Sequence, residues 1–343
     1  MSPSPSSART DPVAANKAGL RLTLDDGTDL ADRIDPRLLE LTLVEKRGGE
    51  ADELSLTLHN HDGQLVAPAT GRTLHLALGW ESGEDVVLGL VDKGAFRVDE
   101  VEERGPPDII QIRARSADFT GPARQRRVKV WKNTTLGAVL SAIAARGGLA
   151  AQVHPDLAGK PIAILEQHNK SDHALVQDLG ARFDALATWK NRQLLFMPIG
   201  SPTTASGAPL PAITLTRQDG WSWSCRQADR TQYDGAEAQW HDPATGQRRT
   251  HKTGGTNRKR LKRTYASQAE AQQAATAEAA RRARSKRTFT YELAMANMQL
   301  QPNAPITLAG WTTAIDAASW LVESVETAMG ANGLKQRIEL QSR

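Results

Sequence analysis

A chain of 343 residues, 39% hydrophobic and 24% charged, is ordinary globular material with room for two or three domains and a sizeable core. Its single cysteine, Cys225, excludes an internal disulfide and a cysteine-based zinc site and is compatible with a reducing compartment. No stretch of about 18 uncharged apolar residues occurs and the N-terminus lacks the apolar core of a signal peptide, so the chain is expected to be made and used in the cytoplasm or carried in a particle.

The formal net charge of +4 is unevenly spread. Between Gly246 and Arg287 thirteen Lys/Arg face only Glu270 and Glu278, so that segment carries +11 and the remainder −7. Such a local excess invites a nucleic-acid or acidic-partner reading. A solvated helix end plus a charged loop that discourages strand pairing accounts for it more simply.

Residues 1–18, dominated by Ser, Pro, Ala and Thr, read as a disordered leader. Strict two-residue alternation follows in 20–24, 38–44, 53–58, 73–78, 96–101 and 109–114, with Asp25-Asp26-Gly27 as a turn. Strands that bury one face and wet the other favour a closed or strongly curled antiparallel sheet, so residues 19–122 are expected to form a β-barrel. The period then changes. Residues 134–146, ended by Gly147-Gly148, and 171–183 read as amphipathic helices, and 150–153 and 192–197 as strands. Residues 123–199 are therefore expected to be a small α/β module. It is superficially similar to peptidoglycan-binding helix–strand modules, although a packing role explains it more simply.

Residues 200–211, rich in Ser, Thr, Ala and Pro, read as a linker. A second β-barrel domain is expected over 212–343. It opens with Trp221 and Trp223 at alternate positions, expected on one face. Residues 233–250 read as a hairpin turning at Ala244-Thr245-Gly246, followed by a flexible loop at 254–257 and a basic loop through Arg258, Lys259, Arg260, Lys262 and Arg263. A helix over 267–287 starts sharply, with Ser267 as N-cap and Glu270 three residues on as its capping-box partner, and ends in cations that complement its dipole. Almost devoid of large apolar residues, it can bury only an alanine stripe, which predicts close packing on a flat surface. Strands are expected at 288–293, 305–311, 318–325 and 334–340, the last two joined by a turn at 329–333. Trp221, Trp223, Trp240, Trp311 and Trp320 read as barrel core, or in part as a subunit seam.

Nothing in this pattern argues for catalysis. Gly-x-Ser-x-Gly, a Walker loop and His-Glu-x-x-His are absent. His59 with His61, His168 with His173 and His241 with His251 lack a cysteine or carboxylate pattern that would complete a metal site. The expectation is no enzyme, no cofactor and no metal.

The order Tyr233-x-Gly235-x-x-Ala238-x-Trp240-x-Asp242-x-x-Thr245-Gly246, a Lys/Arg–Tyr segment, an Ala/Glu/Arg helix, Ala309-Gly310, Trp320-Leu-Val-Glu-Ser-Val325, a Gly turn and a closing strand resembles the phage late control D family. The resemblance extends more loosely over residues 20–343. One departure is Asp316-Ala317-Ala318 before Trp320, where such sequences often carry a glycine. The family comprises tail proteins of contractile phages and related particles, similar in fold to the central baseplate hub. It implies two tube-like antiparallel β-barrels plus a small α/β module, in a homotrimer that presents six barrels around a channel. It also implies the central spike, the tail tube or tape-measure protein and other baseplate proteins as partners. The expected location is the baseplate of a virion tail or tail-like particle, assembled in the bacterial host cytoplasm, with no membrane insertion. Arg258, Lys259, Arg260, Lys262, Arg263 and Trp240 are the candidate partner-contact residues. The rival reading is a nucleic-acid-binding late-gene regulator. Against it, only Tyr265 interleaves the basic residues and no helix-turn-helix is visible. A peptidoglycan-binding or degrading tail component is a third reading, without an acid–base pair to support it.

Overall fold

The computed structural model of the chain describes residues 15–116, 122–190, 192–227, 233–284 and 287–343. The expected leader lies largely outside the described residues, and the first strand, β1 (Lys17–Leu24), begins just inside it. A one-turn helix α1 (Ala31–Ile34) precedes β2 (Leu38–Lys46), β3 (Glu53–His59), β4 (Thr73–Ser82), β5 (Gly89–Arg104) and β6 (Ile109–Ser116). These are the strands that alternation predicts, and their inward positions are filled by leucine. Leu20, Leu22, Leu41, Leu43, Leu54, Leu56, Leu58, Leu74, Leu76 and Leu78 form one core with Phe96, Val98 and Trp80. Each such buried side chain contributes about 1.5–3 kcal/mol of transfer free energy.

The middle block is β7 (Arg126–Thr135), α2 (Leu136–Arg146), β8 (Ala150–Val153), α3 (Pro155–Ala158), β9 (Pro161–Ser171), α4 (Asp172–Phe183), β10 (Ala185–Lys190) and β11 (Gln193–Pro198). Both helices start where expected, because Thr135 and Ser171 accept the backbone N–H of Ala138 at 3.3 Å and of Ala174 at 3.1 Å. They enclose a core with Trp189, Leu194 and Phe196 of a three-stranded β10–β11–β8 sheet. The antiparallel β7–β9 ribbon beside it escapes the sequence reading. Its apolar residues fall on both faces, with Trp131 and Leu165 buried but Val128, Val130 and Ile164 exposed, which blurs the period-2 signal.

The C-terminal block runs β12 (Ile213–Thr216), β13 (Gly220–Gln227), β14 (Gly235–His241), β15 (Arg248–Gly254), β16 (Arg258–Tyr265), α5 (Gln268–Arg284), β17 (Arg287–Leu293), β18 (Pro305–Ala309), α6 (Thr313–Asp316), β19 (Trp320–Gly330) and β20 (Gly333–Ser342). Phe289, Tyr291, Trp320, Val322, Val325, Ile338 and Leu340 build a second β core. The departure before Trp320 has a simple solution. Asp316 ends α6, and its carboxylate accepts the backbone N–H groups of Gly310 and Trp311, both at 3.1 Å, holding the turn.

The two strand-rich blocks are hydrogen-bonded into one sheet. Twelve strands form a curled half-barrel in the order β1–β4–β5–β6–β3–β2–β19–β20–β17–β13, with β18 and β12 branching from β19. The joint is the antiparallel pairing of β2 with β19, from Lys46 opposite Ser324 to Glu40 opposite Gly330. Gly330 is needed there, since a Cβ would sit 2.8 Å from the carbonyl oxygen of Leu39.

Between β13 and β17, which pair with each other, is inserted a separate three-stranded sheet in the order β15–β14–β16. Here two expectations are corrected. Arg258 to Arg263 is strand, not loop, running parallel to β14. Tyr265 at its end is buried on the module's core, so the hydrophobic signal that anchors β16 lies beyond the basic run. Trp221 and Trp223 do not share a face. A bulge between Gly220 and Ser222 makes Trp221 the extra residue. Trp223 then stacks on core Phe289 at 5.9 Å while Trp221 points away and donates to Glu292 at 3.1 Å.

Helix α5 lies on this small sheet through Ala271, Ala274 and Ala275, packed with Ala236 and Ala238 of β14. That is the flat, close contact its composition predicts. Half of the expected capping box is present: Ser267 accepts the N–H of Glu270 at 3.3 Å, while Glu270 reaches back to the N–H of Ala266 at 3.4 Å rather than to that of Ser267. The helix ends at Arg284; residues 285–286 lie outside the described residues, and Arg287 already belongs to β17.

Candidate assembly surface

The basic strand divides into structural and solvent-facing charges. Arg258 donates to the carbonyl of Gly254 at 3.3 Å. Lys259 donates to Glu278 at 2.9 Å. Glu278, a buried residue of α5, also meets Arg281 and Arg282 of the same helix, so one carboxylate absorbs three cations. Arg260 is 4.0 Å from Glu237, while Lys262 and Arg263 are exposed, Arg263 lying 5.8 Å over the Tyr265 ring. Trp240 is half-buried against the alanine core of the insert. Of the six sequence candidates, Arg260, Lys262 and Arg263 therefore present charge to solvent.

A second set of charges, none of it singled out in the sequence as a site, sits where the modules meet. Glu45 of β2 is 2% exposed and Lys93 of β5 4%. Lys93 donates to one Glu45 oxygen at 2.8 Å and Lys190 of β10 to the other at 2.8 Å, and Lys190 also reaches Asp52 at 3.1 Å. Burial by itself raises the Glu45 pKa, but Lys190 and Lys93 outweigh it and hold the carboxyl below its usual range. Burial likewise works to lower the pKa of Lys190, and Glu45 and Asp52 overcome it and raise it. For Asp52 burial wins, and its carboxyl is pushed up. Elsewhere Arg47, at the end of β2, pairs with Glu323 of β19 and donates to Gln341 of β20 at 2.7 Å. Arg284 of α5 pairs with Asp184 at the end of α4, and Arg182 of α4 pairs with Glu270 at 2.9 Å. These contacts tie the first strand block, the α/β module, the inserted module and the last strands to one another. The sequence signal was present: Glu45 continues the inward series Leu41, Leu43, and a charge at an inward strand position calls for a buried partner.

The half-barrel is open at both ends of its path. Among the described residues β1 pairs with β4 alone, apart from one bridge from Thr23 to Asp29, and β13 with β17 alone. β13 is exposed along nearly its whole length and carries Trp221 (56% exposed), Trp223 and the free thiol of Cys225. Lys335 lies 4.9 Å over the Trp221 ring. Among the described residues no group of three His, Cys, Asp or Glu could hold a metal. His59 and His61 bring their Nδ1 atoms to 2.9 Å on the surface.

The sequence profile of the phage tail baseplate hub (GPD) family matches residues 50–333. The chain belongs to that family. It is 34% identical over 362 residues to the probable baseplate hub protein of Escherichia phage 186, covering 93% of this chain and 92% of that protein. It is 33% identical over 372 residues to the probable baseplate hub protein of Escherichia phage P2, covering 95% of each. Among solved structures, the 43 kDa tail protein of prophage MuSo2 from Shewanella oneidensis shares the fold with a TM-score of 0.66 at 14% identity, over 94% of this chain and 97% of that one. A baseplate hub is a structural component of the virion tail, and family membership places this chain there. No helix among the described residues is long and apolar enough to cross a membrane.

Proposed function

We propose that this hub chain is a non-enzymatic scaffold that trimerises and connects the tail tube on one side to the central spike on the other. The observation that carries the reading is the half-barrel open at both edges, β1 and β13. An exposed, Trp-bearing edge strand is an aggregation hazard unless another chain covers it. In a closed ring of three copies each edge meets a neighbour and none is left over. On this reading the strand blocks 19–122 and 212–343 supply the ring, and the α/β module 123–199 braces them through Lys190 and Asp184. Arg260, Lys262 and Arg263 are left for polar contact with an acidic neighbour among the other baseplate proteins, and the tape-measure protein meets the ring on its tube side.

Light scattering of the purified protein over a concentration range, alone and with its candidate spike, tests this. A mass near three times 37.2 kDa, reached alone or on adding the spike, supports the ring. A monomer or dimer that ignores the spike and retains DNA in a steeply salt-dependent way favours the regulator instead. That outcome is weighed against by Lys259, Arg281 and Arg282, whose charge is already committed to Glu278.

A further inference from the structure

β3 ends at His59, and the chain turns through Asn60, His61 and Asp62 as it leaves the sheet. His59 Nε2 lies 3.0 Å from the carbonyl oxygen of Pro36, in the turn before β2. A carbonyl only accepts, so Nε2 carries the proton and Nδ1 of the neutral ring keeps its lone pair. That Nδ1 stands 2.9 Å from Nδ1 of His61, with the ring centroids 4.9 Å apart. Two lone pairs would repel at this distance, so His61 donates its Nδ1 proton to His59. The turn that carries His61 is fixed on both sides. Asn60 accepts the backbone N–H of Leu65 at 2.9 Å and donates to its carbonyl at 3.3 Å, and Arg37 donates to both oxygens of Asp62, at 2.7 and 2.5 Å. The backbone that brings the two imidazoles together is therefore held in place, as a ligand pair requires. His241 and His251 show the opposite case: His251 pairs with Ala238, three residues from His241, which puts the two on opposite faces of the β14–β15 ribbon.

We propose that His59 and His61 are a two-nitrogen chelate for a late first-row divalent cation, Cu²⁺ or Ni²⁺, with water in the remaining positions. The cation takes the place of the shared proton, which moves to Nε2 of His61, so both rings stay neutral. The exposed His61 ring turns about its Cβ–Cγ bond to aim its freed lone pair at the cation. His59 keeps its bond to the Pro36 carbonyl, which fixes the tautomer and raises the basicity of Nδ1. Two metal–nitrogen bonds of about 2.0–2.1 Å spanning 2.9 Å subtend about 90°. Such an angle belongs to neighbouring positions of a tetragonal or octahedral centre, which Cu²⁺ and Ni²⁺ adopt. Tetrahedral Zn²⁺ would spread the nitrogens to about 3.3 Å. Asp62 supplies no ligand, since Arg37 holds both its oxygens. The inference stands whether or not the chain forms a trimer.

Calorimetric titration of the untagged full chain with the chlorides of Cu²⁺, Ni²⁺, Zn²⁺ and Mg²⁺ tests it. One Cu²⁺ per chain should bind most tightly, Ni²⁺ next, Zn²⁺ more weakly than Ni²⁺ and Mg²⁺ not measurably, the order set by imidazole donors and a right-angled bite. His61→Asn and His59→Gln should each weaken the Cu²⁺ site about tenfold or more, while His251→Asn on β15 leaves it unchanged. Electron paramagnetic resonance of the one-to-one copper form should show two imidazole nitrogens on the metal. His61 is exposed, so its variant decides the question even if His59→Gln fails to fold. Cu²⁺ bound equally well by His61→Asn, a single nitrogen in the spectrum, or Zn²⁺ bound more tightly than Ni²⁺ overturns the proposal.

Discussion

Glu45→Gln is the substitution with the clearest expected magnitude. The wild-type carboxylate is 2% exposed and satisfies two ammonium groups at 2.8 Å. Glutamine keeps one acceptor oxygen but no charge. Lys190 retains Asp52 at 3.1 Å, whereas Lys93, 4% exposed, loses its counter-charge. Breaking a buried pair from one side costs about 3–5 kcal/mol; the retained amide oxygen puts the expected loss near the lower end, about 3 kcal/mol. Urea unfolding followed by tryptophan fluorescence reads it. Glu53→Gln serves as control, because its partner Arg115 is 3.4 Å away and both side chains are more than half exposed, and it should cost below about 0.5 kcal/mol. Replacing both partners, Glu45→Met with Lys93→Met, removes the stranded charge and should recover most of the loss. If Glu45→Gln costs no more than the control, the buried pairs do not hold the modules together and the reasoning fails.

The same carboxylate sets an acid limb. Its folded pKa lies below its unfolded one, so its contribution is present above about pH 4.3 and is lost as pH falls through the folded value; stability measured from pH 5 to pH 2 should fall less steeply in Glu45→Gln than in wild type. Asn303 is buried at φ +73°, accepts the N–H of Gly200 at 2.9 Å and donates to the carbonyl of Pro198 at 3.2 Å. Asn303→Ala should therefore cost about 2–4 kcal/mol, the loss of two hydrogen bonds plus left-handed backbone strain, and lower the melting temperature accordingly. Cys225 is exposed on β13, with burial pushing its thiol pKa up, so iodoacetamide should modify it slowly in the monomer and more slowly still once a ring forms. An equal rate in both states would argue against β13 as the subunit seam.

Much of the strand content was legible because leucine at inward positions is a strong period-2 signal. Thr73 to Leu78 reads as strand on sight. The helices were legible from Thr135, Ser171 and Ser267, whose side chains cap them. The pairing of β2 with β19 was not, because it joins residues nearly three hundred positions apart and each strand alternates equally well against other neighbours. Nor was the bulge at Trp221, since Gly-Trp-Ser-Trp alternates perfectly in sequence and only the register with Glu292 shows the extra residue. Arg258 to Arg263 looked like loop because its charge hid a strand held by β14 and by Lys259 beneath α5. The buried charges were the least visible. Lys93, Lys190 and Arg182 look like ordinary surface cations until three-dimensional neighbours bring Glu45, Asp52 and Glu270 to them.

The position of β19 and β20 in the middle of the sheet has a consequence for how the chain reaches its native state. These two strands, late in the sequence, are not peripheral; they are the keystone between two half-sheets. While the ribosome is still making them, β2 waits with one edge unpaired, and β17 waits for β20. Contacts of such long sequence separation form slowly, and the waiting edges are open to wrong partners. Deleting residues 320–343 would therefore cut the sheet in two at its centre, whereas a loss of similar length at β1 would trim one margin.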